Sequence, residues 1–335
     1  MLADVLTADI HQTADQKMAE VKLNIVFLDA RNVGEISNFK VLTKQGNLDI
    51  YELTKPSDVV ERSTGKDVII TSKVVVDKAI IDRLPDLKLI CVAATGMNNI
   101  DVSYAEDKGI AVKNVSGYST DSVAQLTFSM LLYLVNQPYY FDNYVKSGEY
   151  SASGLFTHFG RPFWELHGKR LGIIGFGTIG RRVARIADSF GMEVVFFSTT
   201  GLNNNINYKR FDLDTLLSTS DVVSIHAPLS DQTKGLINYE KLTIMRPCSI
   251  LLNTGRGGII VEEDLARALS ENLIGAAGID VFETEPVRAD NPLLAIKQRE
   301  KLLLTPHIGW TSIEARGKLI ERIAKNIEEF RKEKK

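Results

Sequence analysis

Three polar segments in the second half of the chain carry side chains that could act together on a small acid. Each follows a short apolar run, and they supply Arg256, either Glu283 or Glu285, and His307. A guanidinium can bind a carboxylate through two parallel hydrogen bonds. An imidazolium can protonate a carbonyl oxygen, and a carboxylate beside it can hold the ring and favour its charged form. These residue types suit acid–base chemistry on a substrate that carries a carboxylate and a carbonyl.

The run Gly175-Phe176-Gly177-Thr178-Ile179-Gly180 has the G-x-G-x-x-G spacing of a dinucleotide-binding loop. An apolar, strand-like run precedes it and a helical pattern follows it, which is the context that such a site requires. The first glycine permits a tight turn, the second lets the backbone approach a pyrophosphate, and the third lets the helix pack on the strand. The helix N-terminus then faces the anion. The motif predicts a site for NAD or NADP.

The residue expected to hold the adenine ribose departs from the usual pattern. An Asp or Glu is expected about 20 residues beyond the motif, but Ser198 and Thr199 stand there. A carboxylate would repel a 2′-phosphate, whereas a hydroxyl does not. No arginine follows immediately, and Lys209 and Arg210 are candidates only if the chain folds back towards Ser198. The choice between NAD and NADP stays open, and we predict appreciable use of NADPH alongside NADH.

The elements that must position these residues form two series of short apolar strands separated by helical patterns. The first series starts at Asn24 and the second at Leu171. This alternation is typical of parallel α/β sheets, and it predicts an α/β protein with two doubly wound parallel-sheet domains. Ligands of such sheets bind beyond the carboxyl ends of the strands. We therefore expect the polar segments of the second series to meet at one edge.

The predicted domain boundaries assign residues 22–118 and 308–335 to a substrate domain and 119–307 to a cofactor-binding domain. Residues 1–21 are left as an uncertain N-terminal leader. The segment Ser122–Leu132 is apolar on nearly every side, with Thr120 or Asp121 as N-cap, and predicts a helix buried in a core or at an interface. The aromatic stretch after it suits an arm that wraps a partner subunit.

Composition argues against several functional classes. The 335 residues suit about two domains. Forty Lys and Arg against 42 Asp and Glu leave a net charge of −2, which argues against binding to nucleic acid or an anionic membrane. No apolar run approaches the ~18 residues of a membrane span. Cys91 and Cys248 provide neither a disulfide framework nor metal spacing, and they suit a reducing cytosol, so we expect a cytoplasmic protein without a metal.

From about residue 24 to residue 330, the chain resembles the D-isomer-specific 2-hydroxyacid dehydrogenase family. The resemblance rests on the glycine motif and on the segments Asn253–Gly257, Asp280–Pro286 and Thr305–His307. It implies a Rossmann NAD(P)-binding domain and a flavodoxin-like substrate domain. It also implies an oxidoreductase that transfers a hydride between NAD(P)H and a small 2-oxo acid or D-2-hydroxy acid. Members of the family are usually dimeric through the cofactor domain, so the resemblance implies a homodimer, and the apolar helix after Asp121 fits it.

The resemblance also implies roles for individual residues. Arg256 would bind the 2-oxo acid, His307 would be the acid/base, and Glu285, the glutamate directly before proline, would be its partner. Backbone amides around Gly96 and Met97, next to Thr95, would help to bind the substrate carboxylate. Asp280 would face the nicotinamide carboxamide. The other expected cofactor contacts are Gly175, Gly177, Thr178, Ile179, Gly180, Ser198, Thr199, His226, Ala227, Pro228, Thr233, Asn253, Thr254, His307 and Gly309.

Within the family, the segments Thr95–Asp101 and Tyr118–Gln125, with Trp310, resemble those of glycerate dehydrogenases (hydroxypyruvate reductases). This favours hydroxypyruvate/glycerate or glyoxylate as substrate. Reduction of pyruvate to D-lactate, or of another 2-keto acid, is the alternative within the family. An alternative of another class is a nucleotide-sensing, corepressor-like binding module, and turnover of 2-oxo acids distinguishes it from an enzyme.

Overall fold

The computed structural model describes residues 22–35, 38–202 and 207–333, so the predicted leader, residues 1–21, lies outside the described residues. The chain divides into two compact units. One unit runs to Ser116 and resumes at Gly317, and the other is Gly117–Arg316. The functional boundaries expected from the sequence, and the roles of the two domains, stay a prediction.

The first unit contains a five-stranded parallel sheet with the strand order β2-β1-β3-β4-β5. This is the flavodoxin-like arrangement. Strands β3 and β4 are buried along their whole length because helices cover both faces of such a sheet. The strands are β1 (Leu23–Phe27), β2 (Gly46–Ile50), β3 (Val68–Thr71), β4 (Leu89–Val92) and β5 (Ala111–Lys113).

The second unit contains a seven-stranded parallel sheet with the order β12-β11-β10-β9-β6-β7-β8. Counted from β6, this is the Rossmann order with one additional strand. The strands are β6 (Arg170–Ile174), β7 (Glu193–Phe197), β8 (Lys209–Arg210), β9 (Val222–Ile225), β10 (Ile250–Asn253), β11 (Ala276–Ile279) and β12 (Leu302–Leu304). The predicted fold class, two doubly wound parallel sheets, is confirmed. The two-residue strand β8 was not expected, because it has no apolar run.

Helices connect the strands in both units. They are α1 (Lys40–Thr43), α2 (Val59–Ser63), α3 (Lys78–Ile81), α4 (Val102–Asp107), α5 (Thr120–Asn136), α6 (Pro138–Lys146), α7 (Glu149–Ser153), α8 (Thr178–Ser189), α9 (Leu213–Thr219), α10 (Tyr239–Thr243), α11 (Glu262–Ser270) and α12 (Ile313–Glu333). Short 3-10 helices cover Ala30–Val33, Pro56–Asp58, Pro292–Ala295 and Arg299–Lys301.

Helix α5 is the predicted apolar helix, and its side chains enter one of the two cores that flank the second sheet. Its N-cap was expected at Thr120 or Asp121 but is Ser119. The Asp121 carboxylate instead accepts a hydrogen bond from Arg182 Nε at 2.8 Å. Helix α5 is therefore tied to α8, which begins within the glycine motif.

Candidate active site

The three polar segments follow neighbouring strands of the second sheet. Strands β10, β11 and β12 are parallel, with Asn253 opposite Ile279 and Ile279 opposite Leu304. Their carboxyl ends therefore lie at the same edge of the sheet. The loops that carry Arg256, Glu285 and His307 begin at that edge.

Glu285 and His307 are in direct contact. Nδ1 of His307 lies 2.7 Å from Oε2 of Glu285, and the two side chains are 26% and 30% exposed. This bond leaves Nε2 as the ring nitrogen that can exchange a proton with a substrate. Glu283, which residue spacing alone could not exclude, is exposed, and its backbone N–H donates to Glu262. Tertiary structure thus selects Glu285 as the partner of the histidine.

The backbone of His307 is held in a conformation that few non-glycine residues adopt. Its φ angle is +54°, a left-handed conformation that costs about 1–2 kcal/mol. The His307 N–H donates to the carbonyl oxygen of Asp280 at 2.8 Å. The Asp280 carboxylate accepts hydrogen bonds from Thr305 Oγ1 (2.6 Å), Ile308 N (2.8 Å) and Gly309 N (2.9 Å). Asp280 therefore holds the turn that contains His307 through both its backbone carbonyl oxygen and its side-chain carboxylate.

The Asp280 side chain is almost fully buried. Burial raises the pKa of Asp280 above its usual value, while the hydrogen bonds from its neighbours and the nearby charge of His307 act in the opposite direction. A Cβ atom on Gly309 would lie 3.0 Å from Asp280 Oδ2, so the glycine makes room for this close approach. The resemblance implies that Asp280 faces the nicotinamide carboxamide. In addition, its carboxylate orders the turn that carries His307.

The Arg256 loop is closed by the buried side chain of Asn253. Its Oδ1 accepts the N–H of Gly255 at 3.1 Å, and its Nδ2 donates to the carbonyl oxygen of Arg256 at 3.0 Å. A Cβ on Gly257 would lie 1.8 Å from the carbonyl oxygen of Phe282. The glycine after Arg256 thus lets this loop pack directly against the backbone of the next loop.

The Arg256 guanidinium is half-buried, and Nη1 donates to the carbonyl oxygen of Gly255 at 2.8 Å. Arg256 takes part in none of the ion pairs formed within the described part of the chain. Burial raises the pKa of Tyr118 to about 12 although the charge of Arg256 acts against it. Arg256 is therefore a cation beside a neutral phenol, and it retains donors for an anionic ligand.

The glycine motif has the geometry of a phosphate loop. Gly175 has φ +91°, and a Cβ there would lie 2.7 Å from the backbone nitrogen of Ala227. A Cβ on Gly180 would lie 2.4 Å from the carbonyl oxygen of Gly175. By contrast, a Cβ on Gly177 would meet nothing within 4 Å. The first and third glycines permit close packing, whereas the second leaves open space where a pyrophosphate can approach the backbone.

Thr178 and Ile179 are the first two residues of α8, directly after Gly177. The first backbone N–H groups of a helix have no partner within it, and they carry the positive end of the helix dipole. This arrangement fits a pyrophosphate. The residues present therefore fit a dinucleotide.

The end of β7 carries Ser198, which is buried. Thr199 is half-buried, and the backbone turns back so that Gly201 N donates to the carbonyl oxygen of Ser198 at 3.3 Å. Strand β8 pairs with β7, and Nη1 of Arg210 donates to the carbonyl oxygen of Gly201 at 2.9 Å. From the sequence, Lys209 and Arg210 were candidates only if the chain folds back towards Ser198. The chain does fold back, and Arg210 lies beside the loop after β7.

His226 follows β9 directly, and both of its ring nitrogens have partners inside the protein. Nε2 lies 2.9 Å from Ser224 Oγ, and Nδ1 lies 3.3 Å from Thr254 Oγ1, which in turn lies 3.1 Å from Thr127 Oγ1. Burial lowers the pKa of His226 to about 3. His226 is therefore neutral near neutral pH and links β9, β10 and α5 in one polar network.

Thr233 closes the turn after His226 rather than projecting outwards. Its Oγ1 donates to the carbonyl oxygen of Pro228 at 2.7 Å and accepts the N–H of Ser230 at 2.8 Å. Ala227 is buried and packs over Gly175. These residues shape the wall beside the phosphate loop.

Thr95, Gly96 and Met97 lie in the first unit, in the loop after β4. Asn114 Nδ2 donates to the carbonyl oxygen of Thr95 at 2.6 Å, and Thr95 Oγ1 donates to the carbonyl oxygen of Val115 at 3.2 Å. Asn114 thus ties this loop to the end of β5. Sequence reasoning did not single out Asn114, since an asparagine after a strand carries no distinctive signal.

Among the residues that the structure describes, no helix is both long and apolar enough to cross a membrane. Within residues 22–35, 38–202 and 207–333, no group of three or more His, Cys, Asp or Glu side chains could hold a metal ion.

The chain is similar to a family of known proteins. Residues 128–309 match the model of the NAD-binding domain of D-isomer specific 2-hydroxyacid dehydrogenases. The chain is 36% identical over 317 residues to a hydroxypyruvate reductase from Blautia hydrogenotrophica, covering 92% of this chain and 97% of that protein.

Two solved structures are similar over 92% of this chain. One is D-lactate dehydrogenase from Aquifex aeolicus with NAD and lactic acid (27% identity, TM-score 0.77, 95% of that chain). The other is an acyclic imino acid reductase with NADPH and D-Arg (26% identity, TM-score 0.79, 96% of that chain).

The fold and the phosphate loop define an NAD(P)-dependent oxidoreductase. The chain belongs to the D-isomer-specific 2-hydroxyacid dehydrogenase family.

Proposed function

We propose that this protein reduces hydroxypyruvate, and also glyoxylate, to the corresponding 2-hydroxy acid. The observation that carries the proposal is the Glu285–His307 pair on strand ends next to the Arg256 loop. This contact supports assigning the acid/base role to the pair, and the neighbouring strand end supports assigning carboxylate binding to Arg256. The relative that is a hydroxypyruvate reductase supports the substrate assignment.

Each residue then has one task. Arg256 binds the substrate carboxylate through its guanidinium. When bound, NAD(P)H supplies the hydride. His307, charged and held by Glu285, gives its Nε2 proton to the carbonyl oxygen as that oxygen gains negative charge. In the opposite direction, neutral His307 accepts the proton of the alcohol.

Steady-state rates with a panel of 2-oxo acids test this proposal. Nicotinamide absorbance would be followed with hydroxypyruvate, glyoxylate, pyruvate and 2-ketoisocaproate, each with NADH and with NADPH. We expect the highest kcat/KM with hydroxypyruvate. A preference for pyruvate or 2-ketoisocaproate would favour the alternative within the family. Tight cofactor binding without turnover of any acid would favour a nucleotide-sensing module instead.

The cofactor preference gives a second test. We expect the wild type to use both NADPH and NADH, because the hydroxyls of Ser198 and Thr199 do not oppose a 2′-phosphate and Arg210 lies beside their loop. The change Ser198→Asp should penalise NADPH through like-charge repulsion and help NADH through the 2′-hydroxyl. The measurement is kcat/KM for both cofactors, supported by dissociation constants from nicotinamide fluorescence.

Lys209 provides a matched control for this test. It neighbours Arg210 on β8, so its side chain points to the opposite face of the strand. Arg210→Gln should weaken NADPH binding more than NADH binding, whereas Lys209→Gln should affect both alike. A wild type confined to NADH, with a cofactor ratio indifferent to Ser198→Asp, would show that Ser198 does not lie at the ribose.

We further propose a cytoplasmic homodimer that binds no nucleic acid. The segment after α5 contains α6 and α7 and leaves Phe156 and Phe159 92% and 86% exposed. A cavity of about 340 Å³ lies among its aromatic side chains. Exposed apolar clusters of this kind mark protein interfaces. Both cysteines are free, Cys91 buried and Cys248 exposed, which suits a reducing compartment.

Sedimentation velocity tests the dimer. We expect the wild type to sediment as a dimer and the double variant Phe156→Ser/Phe159→Ser as a monomer, because the change removes the apolar surface. Leu202→Ser, an equally exposed apolar position in the loop after β7, is the control and should stay dimeric. A double variant that remains dimeric would place the interface elsewhere.

A further inference from the structure

Glu262 is a buried carboxylate that none of the roles above uses. It is the first residue of α11 and is only 8% exposed. Its Oε1 accepts the backbone N–H of Glu283 at 2.7 Å, and its Oε2 accepts Nδ2–H of Asn291 at 2.5 Å. A buried carboxylate is costly unless it is hydrogen-bonded. Here each of its oxygens has a donor.

The two donors stand at the two ends of a single loop. Residues 283–291 contain no helix or strand, and Glu285 lies within them. Asn291 is itself oriented, because its Oδ1 accepts the N–H of Leu293 at 2.9 Å. Glu262 therefore closes the loop that carries Glu285 by holding both ends to the start of α11.

The start of this loop also sets the contacts of Glu285. Oε1 of Glu285 accepts the N–H of Phe282 at 3.2 Å, while Oε2 reaches His307. The carbonyl oxygen of Phe282 lies where a Cβ of Gly257 would be. A displacement at residues 282–283 would thus move Glu285 relative to His307 and disturb the Arg256 loop.

We propose that Glu262 is a positioning residue that fixes Glu285 against His307 through the backbone of Glu283 and the side chain of Asn291. The inference rests on the proposed function, in which the Glu285–His307 pair is the acid/base. Glu262 has no contact with the reacting atoms, so its effect passes through Glu285. The competing explanation is that Glu262 only places negative charge at the N-terminus of α11.

Glu262→Gln is the principal test. Glutamine keeps the size of the side chain, but its NH₂ group must face one of the two donors, so one bond is lost. We expect kcat/KM for reduction at neutral pH to fall between about 10- and 100-fold, as a small misplacement of a reacting group does. Reduction requires charged His307, so the pH profile of kcat/KM for reduction has an alkaline limb on which activity falls. We expect Glu262→Gln to move this limb to lower pH, as we also expect for Glu285→Gln. The dissociation constant of NADPH should stay within about twofold.

A matched control and a mutant cycle separate positioning from a general structural effect. Glu263 is the next residue of the same helical turn and is exposed, so Glu263→Gln removes the same charge and should leave the pH profile in place. In a Glu285→Gln background, Glu262→Gln should move the limb no further, because coupled residues are not additive. If Glu262→Gln moved the limb equally in the wild type and in the Glu285→Gln background, the proposal would be overturned.

The remaining outcomes distinguish failure of the Glu262 role from failure of the acid/base pair. A folded Glu262→Gln enzyme with an unmoved limb, alongside a moved limb in Glu285→Gln, would refute the role of Glu262 and leave the acid/base pair standing. An unmoved limb in Glu285→Gln itself would refute the pair, and with it this inference. If Glu262→Gln fails to fold, Asn291→Ala removes the bond to Oε2 and keeps the Glu262 carboxylate and its bond to Glu283 N. It should move the limb in the same direction, and no movement would overturn the proposal.

Discussion

Replacing His307 by alanine is expected to slow 2-oxo acid reduction by on the order of 10²–10⁴-fold, the usual contribution of a general acid. The imidazole is the only group we assign to protonate the carbonyl oxygen, and its Nδ1 is already bound to Glu285. Cofactor binding should fall much less than the rate, since His307 is one of many expected cofactor contacts and the phosphate loop lies on a different strand. Single-turnover rates at saturating NADPH, with fluorescence titration of the cofactor, measure both quantities.

The pH profile of Glu285→Gln tests the same pair more finely. Reduction requires charged His307, and the anionic carboxylate at 2.7 Å favours that charge. Removing the anion takes away the attraction that favours the charged ring, so we expect the alkaline limb of kcat/KM for reduction to move to lower pH. For alcohol oxidation, which requires neutral His307, the limb should move in the same direction, and activity then extends to lower pH.

Two residues serve as controls for this profile. His226 is neutral near neutral pH, because burial lowers its pKa to about 3, so it contributes no limb there. Glu283→Gln removes a charge two residues from Glu285 and should leave the profile in place. An unmoved limb in Glu285→Gln, with a moved limb in Glu283→Gln, would transfer the role to Glu283. No movement in either variant would refute a carboxylate–histidine pair.

The second large effect is expected from Arg256→Ala. The half-buried guanidinium should bind the substrate carboxylate, and removing one partner of such a pair costs about 2–5 kcal/mol. The loss should fall on kcat/KM for the 2-oxo acid, while NADH and NADPH bind nearly as before. Substrate kinetics measured at saturating cofactor test this expectation.

Arg256→Lys distinguishes charge from geometry. Lysine keeps the positive charge but lacks the planar pair of donors that matches a carboxylate. We expect it to recover only part of the lost kcat/KM. Full recovery would mean that the charge alone is needed, and unchanged kinetics in Arg256→Ala would remove this residue from the substrate site.

The burial of Glu262 was not predicted, although the sequence carries a signal for it. Glu262 stands three, four and seven residues before Leu265, Ala266 and Leu269, which are all buried. The helical period therefore places this glutamate on the buried face of α11. Strand β8 carried no such signal, because its two basic residues form neither an apolar run nor an alternating pattern.

The amino-acid sequence by itself determined the two parallel-sheet units, the phosphate loop and the three loops that follow neighbouring strands. These features follow from local patterns, since apolar runs form strands and the glycine spacing defines a turn before a helix. Residues far apart in the chain were ordered only by the tertiary structure. It put Glu285, which the resemblance favours but residue spacing does not separate from Glu283, in contact with His307, and it brought Arg210 to the loop after Ser198. Both outcomes depend on how loops of different strands lie against each other, and no local period encodes that arrangement.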